Sequence, residues 1–107
     1  MRSARVHPGI KKIDLVVTSA RYEDSGRRLL QARAFERRGG VWSDTLLLDR
    51  PALALRLGDG QRVVSGQPAD LPGDFIVGRR LGLVQNGEWI VVEGSGGGRD
   101  DLGVPLY

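Results

Sequence analysis

The sequence contains no cysteine, which excludes disulfides, thiolate zinc sites and cysteine nucleophiles outright. It has a single histidine, His7, so a metal site would have to be built from carboxylates alone. No apolar run exceeds a few residues, Leu46-Leu47-Leu48 being typical. A bilayer-spanning helix needs ~18 or more. Met1–Lys12 has no apolar core of the kind a secretory signal requires. These absences predict a cytoplasmic chain with no membrane association. Lysine is scarce as well: fourteen of the sixteen basic residues are arginine. Arginine is the better fork for phosphate and carboxylate, although a GC-rich genome produces the same bias.

Enough is present to fold. Leu, Ile, Val and Phe make up 31 of the 107 residues, above the roughly 20 % below which chains tend to stay disordered. The length fits one domain. The net charge of +3 is unevenly placed. Arg2, Arg5, Lys11 and Lys12 give the first twelve residues +4 with no acid. From Ile13 onward, 12 arginines face 13 acids, a balance of −1. The high pI therefore belongs to a basic arm and not to a basic domain, which weighs against a nucleic-acid-binding face on the body. The expected organisation is a flexible basic arm over 1–12, one β-domain over 13–94, and a flexible Gly-rich tail over 95–107.

Periodicity points to short strands. Over Ile13–Tyr22, Ile13, Leu15 and Val17 alternate with Asp14 and Thr18, and the residues are β-branched or aromatic, as in a strand. Glu23-Asp24-Ser25-Gly26 reads as a turn. The stretch 27–38 is rich in helix formers, but its apolar residues scatter around a helical wheel. At period two, Leu30, Ala32 and Ala34 fall on one face and Gln31, Arg33 and Phe35 on the other. Strand is the preferred assignment, and a helix over about 26–38 in an α+β fold is the alternative. Gly39-Gly40 turns the chain into a strand over 41–50, and Pro51 breaks it. Leu53, Leu55 and Leu57 alternate with Ala54 and Arg56, which predicts another half-buried strand. After Gly58-Asp59-Gly60, a short strand over 61–65 carries Val63 and Val64. The loop 66–73 holds two prolines and is expected to make no ladder. A strand over 74–84 is interrupted by Gly78 and Gly82, which predicts a bulge or bend. Asn86-Gly87 is a strong hairpin signal, followed by a strand over 88–93. About seven short strands with turns every 8 to 12 residues predict an all-β fold, a small antiparallel barrel or two-sheet sandwich. No βαβ crossover is evident, so parallel pairing is not expected.

Catalytic signals are weak. A general base must be held within about 3 Å of the proton it moves, and His7 lies in the arm. Glu23-Asp24 and Asp100-Asp101 lack the spacing of a calcium loop and read most simply as a turn and a solvated tail. Gly94–Gly98 is not followed by Lys-Ser or a helix, so it reads as a linker and not a phosphate loop. No G-x-S-x-G elbow is present. Neither a catalytic set, a metal site nor a cofactor is expected, and the balance leans against an enzyme. Trp42 and Trp89 read as core anchors.

Arginine clusters stand out: Arg27, Arg28, Arg37 and Arg38 bracket one strand, and Arg79 and Arg80 lie in another. If Arg33 and Arg37 share a face with Phe35, guanidinium forks stand beside an aromatic, which suits phosphate binding with base stacking. The plainer account is an exposed strand face balanced by acids, with edge arginines discouraging aggregation. The preferred function is a non-enzymatic protein-binding or self-assembly module, acting through edge strands, tryptophans and tails. A nucleic-acid-binding β-domain using the arginines and the arm is the first alternative. A ligand or enzyme pocket near loop 66–74, beside Arg79 and Arg80, is the second.

Overall fold

The computed structural model describes residues 13–71 and 74–107; the expected basic arm over 1–12 lies outside them. The chain is mostly strand with one short helix, in a curled mixed sheet that forms a half-barrel. Two long strands lead, β1 (Leu15–Tyr22) and β2 (Leu29–Arg38). They are followed by β3 (Val41–Trp42), β4 (Leu46–Asp49), helix α1 (Arg50–Gly58), β5 (Val63–Pro68), β6 (Phe75–Val84) and β7 (Trp89–Val92). The sheet runs β3-β2-β1-β5-β6-β7, and β4 also pairs with β2. The stretch 27–38 is strand, not helix, because Ala32 and Ala34 enter the core on alternate positions. β3 and β4 form one interrupted strand along β2. Ser43 holds the break by donating its N–H to Glu36 O (2.8 Å) while its Oγ accepts from Glu36 N (2.9 Å).

Three expectations fail here. First, 53–57 is helical. Asp49 caps α1 by accepting from Ala52 N (3.0 Å), and Pro51 stands in its first turn. Second, β1 and β5 are parallel, with Leu15, Val16 and Val17 opposite Val63, Val64 and Ser65. The connection that permits this runs through β2, β3, β4 and α1. Third, the ladder continues through Gly66, Gln67 and Pro68, opposite Val77, Ile76 and Phe75. Pro68 is tolerated because it is the last residue of its strand.

The two faces of the sheet carry separate cores. On the inner face Leu15, Val17, Ala20, Ala32, Ala34 and Leu81 pack around Leu53, the only helical residue fully buried. On the outer face Ile13, Val16, Val64 and Phe75 pack with Phe35, Trp42 and Val77. Phe75 meets Phe35 at 5.0 Å and Trp42 edge-on at 5.1 Å between ring centroids. Three strands separate β6 from β3 in the sheet order, so this contact measures how far the sheet curls.

The predicted irregularity at Gly78 is a bulge. Val64 pairs with Arg80 and Gly66 with Val77, so Ser65 faces two residues of β6. Buried Ser65 fills the gap: its Oγ accepts from Arg79 N (2.9 Å) and donates to Arg79 O (3.3 Å). A Cβ on Gly78 would stand 2.5 Å from Ser65 Oγ and 3.2 Å from Ser65 O. Gly78→Ala should therefore displace Ser65 and cost about 1–3 kcal/mol. Gly82→Ala, where a Cβ meets nothing within 4 Å, should cost less; urea unfolding of the two variants makes the comparison.

The segment after Gly94 is not a flexible tail. Val92 N donates to Asp101 O (2.7 Å) and Asp101 N to Ile90 O (2.8 Å), which seals the outer edge of β7. Further on, Ala20 N donates to Pro105 O (2.9 Å) and Tyr107 N to Ala20 O (3.2 Å). Residues 101–106 thus bridge β7 to β1 in two parallel steps. Leu102 is fully buried, and Tyr22 Oη accepts from its N–H (3.0 Å). Burial pushes the Tyr22 hydroxyl above its ordinary value, so it stays neutral in this seat.

Candidate functional site

The seven arginines picked out in the sequence do not converge on one surface. Arg27 and Arg28 both lie over Trp89, at 5.5 and 4.7 Å from its ring. Trp89 itself is buried. Arg27 also donates to Gly98 O (3.1 Å), and Arg28 pairs with Glu88 (2.6 Å). Arg38 pairs with Glu36 (3.0 Å), and Arg37 Nε donates to Gly39 O at the same turn (3.1 Å). Arg79 reaches Glu93 O (3.4 Å), and Arg80 is exposed on the same strand. Glu36 is held below the ordinary carboxylate range by hydrogen bonds, first from Arg56 and then from Arg38. These are contacts of a balanced surface.

Phe35 is not beside a free arginine fork. It faces Phe75 in the outer core, which removes the base-stacking arrangement expected for Arg33, Phe35 and Arg37. Arg33 stands instead 4.1 Å from the ring of Tyr107. Arg21, not singled out in the sequence, approaches the same ring at 4.8 Å. The local backbone explains this meeting. Thr18 is an extra residue in β1, so the pairing steps from Val17–Ala34 to Ser19–Arg33. A second step occurs on β2, where Tyr22 opposes Leu29 and Arg21 opposes Gln31, leaving Leu30 as the extra residue, 50 % exposed. Between these bulges Ser19, Arg21, Gln31 and Arg33 form a short ladder of their own. Tyr107, held beside β1 by its backbone bond to Ala20, donates its hydroxyl to Gln31 Oε1 (2.9 Å). Arg21 Nε donates to Tyr107 O (3.2 Å). No sequence pattern joins positions 21, 33 and 107; only the docking of the last segment does.

Two further features are built from elements far apart in the chain. Asp100 is fully buried and accepts from Leu29 N (2.6 Å), Ile90 N (2.9 Å), Arg50 Nε (2.7 Å) and Arg50 Nη2 (3.1 Å). Burial works to raise this carboxyl, but those hydrogen bonds prevail and hold it below its ordinary value. The site is structural, since every donor belongs to the fold. Two clefts of about 510 and 500 Å³ are open to solvent. The first lies beside Arg21, Glu23, Arg99 and Asp101; the second lies between α1 and the β6–β7 hairpin, beside Leu57, Arg80, Leu83 and Glu93. No residue of 66–74 lines either, and residues 72 and 73 lie outside the described ones. Among the described residues no group of three or more His, Asp or Glu could hold a metal ion, and no helix is long and apolar enough to cross a membrane.

Comparison with known protein families, curated proteins and solved structures finds no match to this chain.

Proposed function

We propose that this chain is a non-enzymatic protein-binding module that receives an extended segment of a partner along the open edge of β4. The observation that carries this reading is that among the described residues β4 is paired on one side only, with β2, while Leu47 at its centre is 58 % exposed. An edge strand offers unpaired backbone donors and acceptors, and added strands bind through them. Side chains of the edge then set which segment fits. Leu47 calls for an apolar residue opposite it. Asp44 and Asp49, both exposed near the two ends of the edge, favour lysine or arginine flanking that residue.

A photoreactive phenylalanine analogue at position 47, used in the native cells, tests the reading. The expected product is one discrete adduct with another protein. Its cross-linked peptide should carry an apolar residue with Lys or Arg two or three positions away. The adduct should disappear when Thr45→Pro disables the edge and weaken with Asp44→Lys. An adduct of twice the chain mass would make the partner a second copy and overturn this reading. So would adducts that survive Thr45→Pro, or the same adducts from a probe at Leu55, which is 66 % exposed on α1.

Nucleic-acid binding has less support, because Arg27, Arg28, Arg38 and Arg79 are engaged by partners within the fold. A binder of that kind would co-sediment with a mixed-sequence oligonucleotide and release it steeply with salt.

A further inference from the structure

We infer that Arg21 and Arg33, gathered by Tyr107 on the outer face of the sheet, form a receiving site for a phosphomonoester. The inference stands apart from the β4 edge reading, since it needs neither that edge nor a protein partner.

The argument begins with how the two guanidiniums are held. Each lies against the same aromatic ring, Arg33 at 4.1 Å and Arg21 at 4.8 Å from its centroid. A guanidinium that stacks uses its flat face and keeps its N–H donors in the plane. Those of Arg33 are not bonded to any described residue, and Arg21 uses only Nε, toward Tyr107 O (3.2 Å). Among the described residues neither is paired with an acidic side chain, whereas Arg28, Arg38, Arg50, Arg56 and Arg99 each have a carboxylate within 4.0 Å. Two like charges brought to one ring repel, and a shared anion relieves that repulsion.

The arrangement is also fixed before a ligand arrives. Tyr107 is tied through its N–H to Ala20 O and through its hydroxyl to Gln31 Oε1. With Oε1 accepting, the Gln31 amide nitrogen is a further donor on the same ladder, and Ser19 lies opposite Arg33. Less side-chain freedom is then lost on binding. The ligand class follows from the number of forks. A planar carboxylate matches one guanidinium fork, whereas the three free oxygens of a phosphomonoester can accept from two separate forks. A phosphodiester in a nucleic acid offers only two such oxygens.

The test follows the arginine Nε–Hε resonances by NMR at constant ionic strength, with phenyl phosphate and inorganic phosphate as probes. Saturating shifts confined to Arg21, Arg33 and the Gln31 amide are expected. Arg33→Gln and, separately, Arg21→Gln should each weaken binding about tenfold or more, the loss of a charge-assisted hydrogen bond. Arg28→Gln should leave it unchanged. A dispersed amide spectrum for each variant shows that the fold is intact. Uniform, non-saturating shifts across all arginines would overturn the site. Tighter binding of a single-stranded oligonucleotide than of phenyl phosphate, lost in the same two variants, would overturn the monoester assignment.

Discussion

Replacing Asp100 by alanine should destabilise the fold by about 3–5 kcal/mol at neutral pH, the largest effect expected of any single charge in the molecule. A domain of this kind has on the order of 5–15 kcal/mol in all, so the variant should be marginal and its melting point lower by on the order of 15 °C. The cause is the number of elements that meet at one carboxylate. It accepts from the first residue of β2, from β7 and twice from the first residue of α1. Arg50 also donates to Glu88 O (2.6 Å). Without the carboxylate, two buried N–H groups and a largely buried guanidinium are left without their acceptor. Glu88→Ala supplies the control. Its ion pair with Arg28 is half exposed, and such pairs contribute about 0–1 kcal/mol.

The Asp100 site has a direction in pH. Its carboxyl is held below its ordinary value in the folded chain. The folded state therefore binds fewer protons than the unfolded state between the two values, and stability rises with pH across that window. The contribution is fully present above the unfolded carboxylate value of about 3.9 and is lost as pH falls through the folded one. Asp100→Asn should be strongly destabilised at pH 7, and its deficit against the native chain should shrink below about pH 4. A deficit that stays constant from pH 7 to pH 3 would remove the charge from this account and leave only shape.

Much of the sheet was legible because period-two alternation is a local signal. β1, β2 and β6 stand where buried and more exposed positions alternate over part of their length, β7 stands on the unbroken apolar run Trp89–Val92, and the Asn86-Gly87 turn falls between β6 and β7. Asn86 and Gly87 both take positive φ there, 59° and 87°, which that dipeptide permits. What was not legible depends on contacts remote in sequence. The segment 99–107 looks like a tail because five glycine-rich residues precede it, and nothing local says that Asp100 will meet Arg50, or Tyr107 will meet Arg33. The aromatic partner of Arg33 was hidden for the same reason. The local pattern joins Arg33 to Phe35, a neighbour in sequence, when the aromatic it reaches lies 74 residues further on. Parallel pairing of β1 with β5 is hidden because period two over 53–57 reads as a strand and leaves no crossover helix between them.

That helix supplies the second large prediction, one on which the two assignments of 53–57 disagree. A strand would put Leu53, Leu55 and Leu57 on one face with similar burial. In α1 the same residues are separated by about 200° from one leucine to the next at 100° per residue. Leu53 is fully buried, Leu55 is 66 % exposed and Leu57 is half-buried. The Asp49–Pro51 start was the available clue, since aspartate at the cap with proline in the first turn marks a helix. Leu53 stands in the inner core among Leu15, Val17, Leu81 and Ile90, with no exposed surface of its own. Leu53→Ala should therefore cost about 2–5 kcal/mol, the loss of the side chain plus an unfilled cavity. Leu55→Ala should change stability by less than about 0.5 kcal/mol, as exposed positions do. Because alanine favours the helix at both sites, the difference between the two variants reports burial alone. Equal losses on denaturant unfolding would mean that the leucines share a face, and α1 would have to be withdrawn.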